Sequence, residues 1–263
     1  MKSFTRVVAG LALFVVASVA SAGNILIING ATGTSEPGTT ANNTANLSQL
    51  HMDVGNTVTV SDGVPVDLSA YDQVWDIRFS NNQPITGAVE AQYLGFLQAG
   101  GGMFVMGENS SFPTRNDSVI SLFAATGAGT FVFDAPSQPE TVFAPFNGPN
   151  PIIGDMIQFA APGGVMDPGT CQFMTQGADG SGTGVACGVG DMANALAGAL
   201  TVVFDVNFME GTRGENQQNF LKNLIGFVGD EVDPPVDTPE PGSLALLGLG
   251  LAGLGFARRK KNL

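Results

Sequence analysis

The chain has 263 residues and a formal net charge of −13, with 44% of its residues hydrophobic and only 13% charged. Six of the ten bases (Lys2, Arg6, Arg258, Arg259, Lys260 and Lys261) sit in two terminal clusters, so residues 23–240 hold four bases against 23 acids, a net charge of −19. Phosphate contacts need clustered Lys and Arg, so this balance excludes a nucleic-acid-binding role, and binding to an anionic membrane surface is disfavoured for the same reason.

The chain opens with Lys2 and Arg6, an apolar run from Val7 to Ala17, and the small residues Ala20-Ser21-Ala22. This is the pattern of a secretory signal peptide covering residues 1–22, with cleavage after Ala22. Eleven apolar residues rising ~1.5 Å each fall well short of a ~30 Å hydrocarbon core, which argues against a spanning helix. Signal peptidase is therefore an expected processing partner.

The body, residues 23–229, is long enough for one sizeable core and reads as a single domain. Asn24-Ile-Leu-Ile-Ile-Asn29 has the unbroken apolar character of a strand buried on both faces. A polar Gly/Thr/Asn loop follows, then a short helix over Thr44–Met52, a second strand over Asn56–Val60 and a third over Tyr71–Phe79. Val89, Tyr93, Phe96 and Leu97 recur at helical spacing within Ile85–Ala99, and Gly100-Gly-Gly102 ends that helix before the strand Met103–Met106. Asp117–Ala125 reads as a further helix. Residues 130–190 read as a loop- and strand-rich insertion. The body closes with a strand over Leu200–Asp205 and a helix over Glu215–Val228.

Alternation of strands and helices predicts an α/β fold: a mostly parallel central sheet with helices on both faces. The first strand, the segment Ala99-Gly-Gly-Gly-Met-Phe-Val-Met-Gly-Glu108, and Leu200-Thr-Val-Val-Phe-Asp-Val-Asn-Phe208 before an Asn-containing helix resemble the class I glutamine-amidotransferase-like superfamily. That resemblance implies a flavodoxin-like or glutamine-amidotransferase-like sheet. Catalytic members place a nucleophilic Cys at a strand-to-helix turn and a His downstream. Here the turn after Met106 reads Gly107-Glu108-Asn109-Ser110, and the single histidine, His51, precedes it. A Ser-His or Cys-His mechanism needs base and nucleophile within hydrogen-bond reach, so no catalytic residue is assigned on that model.

Cys171 and Cys187 lie in the exported segment with fifteen residues between them, and a disulfide is expected there. Asp179-Gly-Ser-Gly-Thr-Gly184 looks superficially like a calcium loop. An EF-hand starting at Asp179 needs a carboxylate at its twelfth position, which is Gly190, so the match fails. Neither a metal nor a cofactor is assigned, although an irregular calcium site stays open.

Asp76, Glu108 and Asp205 fall near the carboxyl ends of three predicted strands, the edge at which open α/β sheets bind ligands. Two such carboxylates in a cleft would suit a carbohydrate-active hydrolase using acid and base. Arg78, Arg115 and Arg213 fall in loops following strands. With Glu108, Asn109, Asp205 and Asn207 they form a candidate polar crevice for a carbohydrate or carboxylate. In the competing reading each arginine pairs with a neighbouring acid such as Asp76, Asp117 or Glu210.

Beyond the body, an acidic Pro-rich stretch, residues 230–238, leads into Pro239-Glu240-Pro241, an apolar run from Gly242 to Ala257, and Arg258-Arg259-Lys260-Lys261. Residues 239–263 resemble the PEP-CTERM sorting signal. The resemblance implies an exported protein held transiently in the inner membrane by the apolar segment until the exosortase, a membrane protease-transpeptidase, cuts near Pro239-Glu240-Pro241. It also implies release to the surface or matrix of an exopolysaccharide-producing Gram-negative bacterium, with exopolysaccharide as a possible ligand. Sixteen residues at ~1.5 Å span about 24 Å, near the lower limit for crossing a bilayer. Arg258 and Arg259 stay cytoplasmic by the positive-inside rule.

Overall fold

Ile25–Ile28 are fully buried, which makes Asn24–Ile28 (β1) a central strand covered on both faces. The computed structural model to which this strand belongs describes residues 22–232. The signal-peptide residues through Ser21, Ala20 among them, lie outside the described residues. So does the sorting tail with Pro239, Glu240, Pro241, Arg258 and Arg259.

After β1 come α1 (Pro37–Asp53), β2 (Thr57–Ser61), β3 (Gln73–Asp76), α2 (Gly87–Gln98), β4 (Gly102–Met106) and α3 (Pro113–Thr126). An insertion of short strands follows: β5 (Phe133–Asp134), β6 (Glu140–Val142), β7 (Met156–Ile157), β8 (Gly164–Val165), β9 (Gln172–Phe173) and β10 (Thr175–Gln176). Of these, β9 already joins the main sheet, which the chain continues through β11 (Gly184–Cys187) and β12 (Ala199–Val203), and the described residues close with α4 (Glu215–Val232).

The main sheet runs β2-β1-β3-β4-β12-β11-β9. The first five strands are parallel, while β11 and β9 add antiparallel to β12. Counted in chain order, the parallel strands follow 2-1-3-4-5, the flavodoxin-like doubly wound order. On one face Ile25, Ile27, Trp75 and Phe104 pack against Leu47 of α1 and Phe220, Leu224 and Val228 of α4. On the other, Leu26, Val74, Met103 and Val202 pack against Tyr93 and Leu97 of α2 and Val119 and Phe123 of α3. The expected mostly parallel sheet with helices on both faces is thus present.

Three local expectations need correction. The segment expected as a polar loop through residue 43 is helical from Pro37, which sits in the first turn where its missing N–H costs nothing. Asn43 and Asn46 belong to this helix because their Nδ2 atoms donate to the carbonyls of Val206 and Met209, a tertiary anchor that no local pattern encodes. Helix α3 begins at Pro113, so Arg115 lies inside a helix rather than in a loop. At the C-terminal end, α4 runs on through Val232, into the stretch read as an acidic linker.

In the insertion, β10, β6 and β7 form a three-stranded sheet and β5 pairs with β8. Cys171 and Cys187 are disulfide-bonded, tying the segment before β9 to the end of β11. Among the described residues no helix is long and apolar enough to cross a membrane.

Candidate functional site

In a 2-1-3-4-5 sheet the chain winds outward in opposite directions from β1 and β3, so the loops after these two strands separate and leave a crevice at their carboxyl ends. The structure has a pocket there of about 280 Å³. Gly33, Thr34 and Ser35 line it from the loop after β1, Ser80, Asn81 and Asn82 from the loop after β3, and Phe112 from the loop after β4.

The walls are braced across the crevice. Ser35 donates its backbone N–H to Ser80 Oγ at 2.8 Å, and the two hydroxyl oxygens lie 3.0 Å apart. Asn81 Nδ2 donates to the Ser111 carbonyl, and Asn81 Oδ1 accepts from the Thr114 N–H at the start of α3. Phe112 packs edge-on against Phe79 with ring centres 5.7 Å apart, which leaves it partly exposed at the rim. Under the floor Gly30 takes φ +59°, and Gln83 Nε2 donates to its carbonyl at 2.6 Å.

The arginines and carboxylates singled out from sequence do not line this pocket. Asp76, wholly buried at the end of β3, accepts from Arg78 Nε at 2.8 Å, Arg78 Nη2 at 2.6 Å and Tyr93 Oη at 2.9 Å. Arg115 is also fully buried; its Nη2 lies 3.3 Å from Asp76, while its Nε and Nη1 donate to the carbonyls of Met106 and Gln83. Burial alone would raise the Asp76 carboxyl, but Arg115 and Arg78 outweigh it and hold the group well below the usual carboxylate range. Arg115 is therefore sealed beneath α3 and joins β3 to β4, out of reach of a ligand in solvent.

Glu108 and Asp205 sit at the ends of β4 and β12, 2% and 1% exposed. Glu108 Oε1 accepts from the backbone and side-chain amides of Asn109, and its Oε2 accepts from the Val206 N–H at 2.6 Å. Burial pushes the Glu108 carboxyl up to about 7, with Asp205 and Glu36 adding to the rise against the opposing backbone bonds. Asp205 accepts from the N–H groups of Ala160 and Asn207, and burial raises its carboxyl also. These bonds tie the β4 turn, the insertion and the turn after β12 together. Asn207 Nδ2 reaches Glu210 at 3.3 Å, and Arg213 Nε pairs with Glu210 at 2.9 Å on the surface.

Each arginine thus has an acidic partner, Asp76 for Arg78 and Arg115 and Glu210 for Arg213, while Asp117, also named as a candidate partner, pairs with none of them among the described residues. His51 is fully buried, edge-on to Trp75 with ring centres 4.9 Å apart, and its Nδ1 lies 3.1 Å from Asn56 Nδ2. Among the described residues no three His, Cys, Asp or Glu side chains come together as a metal site. The crevice residues went unnoticed in sequence because Ser, Thr and Asn after a strand are ordinary loop composition. Their shared position follows only from the strand order.

Comparison with known proteins bears on the tail and on the fold. Residues 237–261 match the PEP-CTERM protein-sorting motif. This motif supports export, exosortase processing and placement at the cell surface. No curated protein matches the chain. The fold is similar to that of an exo-β-1,4-mannosidase, Op5Man5, from Opitutaceae bacterium strain TAV5 (TM-score 0.52, 10% identity, 79% of this chain). The match covers 36% of the mannosidase. The N-terminal domain of mmIFT52 is also similar (TM-score 0.54, 12% identity, 78% of this chain and 96% of that one). A ThuA-like protein from Bacteroides uniformis ATCC 8492 aligns at TM-score 0.47 and 15% identity, over 84% of this chain and 95% of that one. For the mannosidase and the mmIFT52 domain, at 10% and 12% identity, the likeness is one of fold.

Proposed function

We propose that the domain carried to the cell surface by the PEP-CTERM motif is a non-catalytic binding module whose crevice between the β1 and β3 loops holds a glycan. The observation that carries this reading is the lining: the hydroxyl-bearing Thr34, Ser35 and Ser80, the amide-bearing Asn82, and the partly exposed Phe112, with Asn81 bracing the wall. Such a set suits a neutral ligand rich in hydroxyls, with an apolar face for the ring and polar groups to fix orientation. The cross-crevice bonds hold the walls before a ligand arrives, which limits the ordering cost of binding.

Exopolysaccharide around the producing cell is the natural ligand class for a module at that location. In this reading signal peptidase removes residues 1–22, and the apolar segment 242–257 anchors the chain transiently in the inner membrane. Exosortase then cuts near Pro239-Glu240-Pro241. The domain runs from Gly23 to the start of the Pro-rich linker. The edge carboxylates Glu108 and Asp205 act as braces for turns, because their oxygens are engaged by backbone N–H groups.

Titration of the purified protein against a panel of neutral and acidic oligosaccharides, by calorimetry and by release of reducing sugar, tests this. Binding without sugar release is expected, weakened about tenfold by Asn82→Ala, the equivalent of one hydrogen bond at ~1.4 kcal/mol. Sugar release abolished by Glu108→Gln would instead support a hydrolase. Binding indifferent to Asn82→Ala and Ser35→Ala together would remove the crevice from consideration.

A further inference from the structure

Among the described residues β2 is the outermost strand of the main sheet and pairs only with β1, from Asn24↔Thr57 to Ile28↔Ser61. The Thr57 N–H donates to the Gly23 carbonyl, and the Asn29 N–H donates to the Ser61 carbonyl. By the alternation of a parallel ladder, Thr57, Thr59 and Ser61 direct their backbone polar groups at β1, while Val58 and Val60 direct theirs outward. Natural edge strands are protected by shortness, by Lys, by Pro or by a bulge. The opposite edge, β9, is two residues long. β2 has five regular residues and none of these devices.

Charge singles out the same edge. No residue from Val54 to Ser61 ionises, in a body (residues 23–229) whose four bases and 18 acids give it a net charge of −14, so that copies repel one another over most of their surface. Asp62, just past the end of the strand, is exposed and accepts from the backbone N–H and the hydroxyl of Thr32. Val60 within the strand is an exposed apolar side chain, as are Met52 and Val54 before it in the chain and Val66 after it.

We propose that two copies of this chain associate along β2, antiparallel about a two-fold axis at Thr59, so that their main sheets become continuous. In this register Val58 faces Val60 of the second copy in hydrogen-bonded pairs on both sides of the axis, and the outward N–H and C=O groups are satisfied. The four valines lie on one face, next to the core that Val58 already packs against. Asp62 comes opposite Asn56 rather than opposite another acid, and Thr59 meets its own copy in a non-hydrogen-bonded pair with Cα atoms about 4.5 Å apart. A five-residue edge buries less than a standard interface of ~1,600 Å², so the pair is weak in dilute solution and is favoured by crowding on a surface.

The register gives a direct test on the full chain. Thr59→Cys brings two thiols within disulfide range across the axis, whereas in Thr57→Cys they lie about four residues, ~13 Å, apart. The expected result is a disulfide-linked dimer on non-reducing gels for Thr59→Cys and monomer for Thr57→Cys. Sedimentation of the purified full chain supplies a readout that needs no new thiol. Wild type should self-associate more strongly as salt screens the like charges. Thr59→Lys and Thr59→Glu should each be monomeric where wild type is half dimeric, and an equal mixture of the two should restore dimer. Equal crosslinking by both cysteine variants, or association of Thr59→Lys at wild-type strength, would overturn the proposal, as would a wild type that stays monomeric at all salt concentrations.

Discussion

Replacing His51 with Phe should flatten the acid limb of the stability profile. The imidazole is fully buried against Trp75, its Nε2 has no hydrogen-bond partner among the described residues, and burial pushes its pKa from 6.5 down to about 3. A base depressed in the folded state binds its proton first in the unfolded chain. Its stability contribution is therefore complete above pH 6.5 and is lost as pH falls toward 3. At ~1.4 kcal/mol per pH unit the loss is on the order of 4–5 kcal/mol by pH 3 and roughly 3 kcal/mol at pH 4.5. Glu108 acts in the opposite sense. Its carboxyl is raised from 4.5 to about 7, so the fold is favoured below pH 4.5 and loses on the order of 3 kcal/mol as pH rises to 7. Between pH 4.5 and 6.5 the unfolded chain gains a proton on His51 while the folded chain holds one on Glu108, and the two slopes cancel. Wild type should accordingly show a plateau there from this pair. His51→Phe, which keeps the ring contact with Trp75, should instead gain stability steadily from pH 7 to 4.5. Urea denaturation of both proteins at pH 7.5, 5.5, 4.5 and 3.5 checks this through the difference between the two curves, which cancels the contributions of other groups. Parallel curves across that range would refute a neutral buried His51.

Glu108→Gln should remove the opposing slope, so that its stability falls directly from pH 6.5; it should also cost stability at pH 5, because one side of the amide must face a backbone N–H donor. Asp76→Asn leaves Arg115 as a buried cation without its counter-ion and should cost about 3–5 kcal/mol in urea melts, against less than about 1 kcal/mol for the exposed Arg213–Glu210 pair in Glu210→Gln. Adding Arg115→Met to Asp76→Asn should recover part of that loss, a non-additivity that measures their coupling. Cys171→Ser with Cys187→Ser reopens a loop of ~15 residues and should lower stability by about 3 kcal/mol in the chain-entropy picture, read as a drop in the urea midpoint.

Where side-chain pattern alone decides the structure, the sequence was legible. The apolar runs of β1, β4 and β12 read as strands, β1 as one buried on both faces, and the helical spacing of Val89, Tyr93, Phe96 and Leu97 marked α2 to within two residues. Helix α1 was half hidden because its anchors, Asn43 and Asn46, bond to a turn more than 160 residues away. Arg115 looked like a loop cation because a guanidinium following a strand is usually solvated. Its burial depends on Asp76 standing one strand away.

The sequence by itself carried the sorting motif and the charge balance. A sorting motif is read as a linear string by the machinery that handles it, and net charge is a sum over residues, so neither needs a fold. The tertiary structure alone decided what sits at the carboxyl edge of the sheet. Placing Thr34, Ser35, Ser80 and Asn82 around one crevice, and taking Arg78 and Arg115 out of it, requires β1 to lie beside β3 and Asp76 to lie beneath both arginines. Those adjacencies come from long-range strand pairing, whose energy lies in contacts between distant segments rather than in any local run of residues.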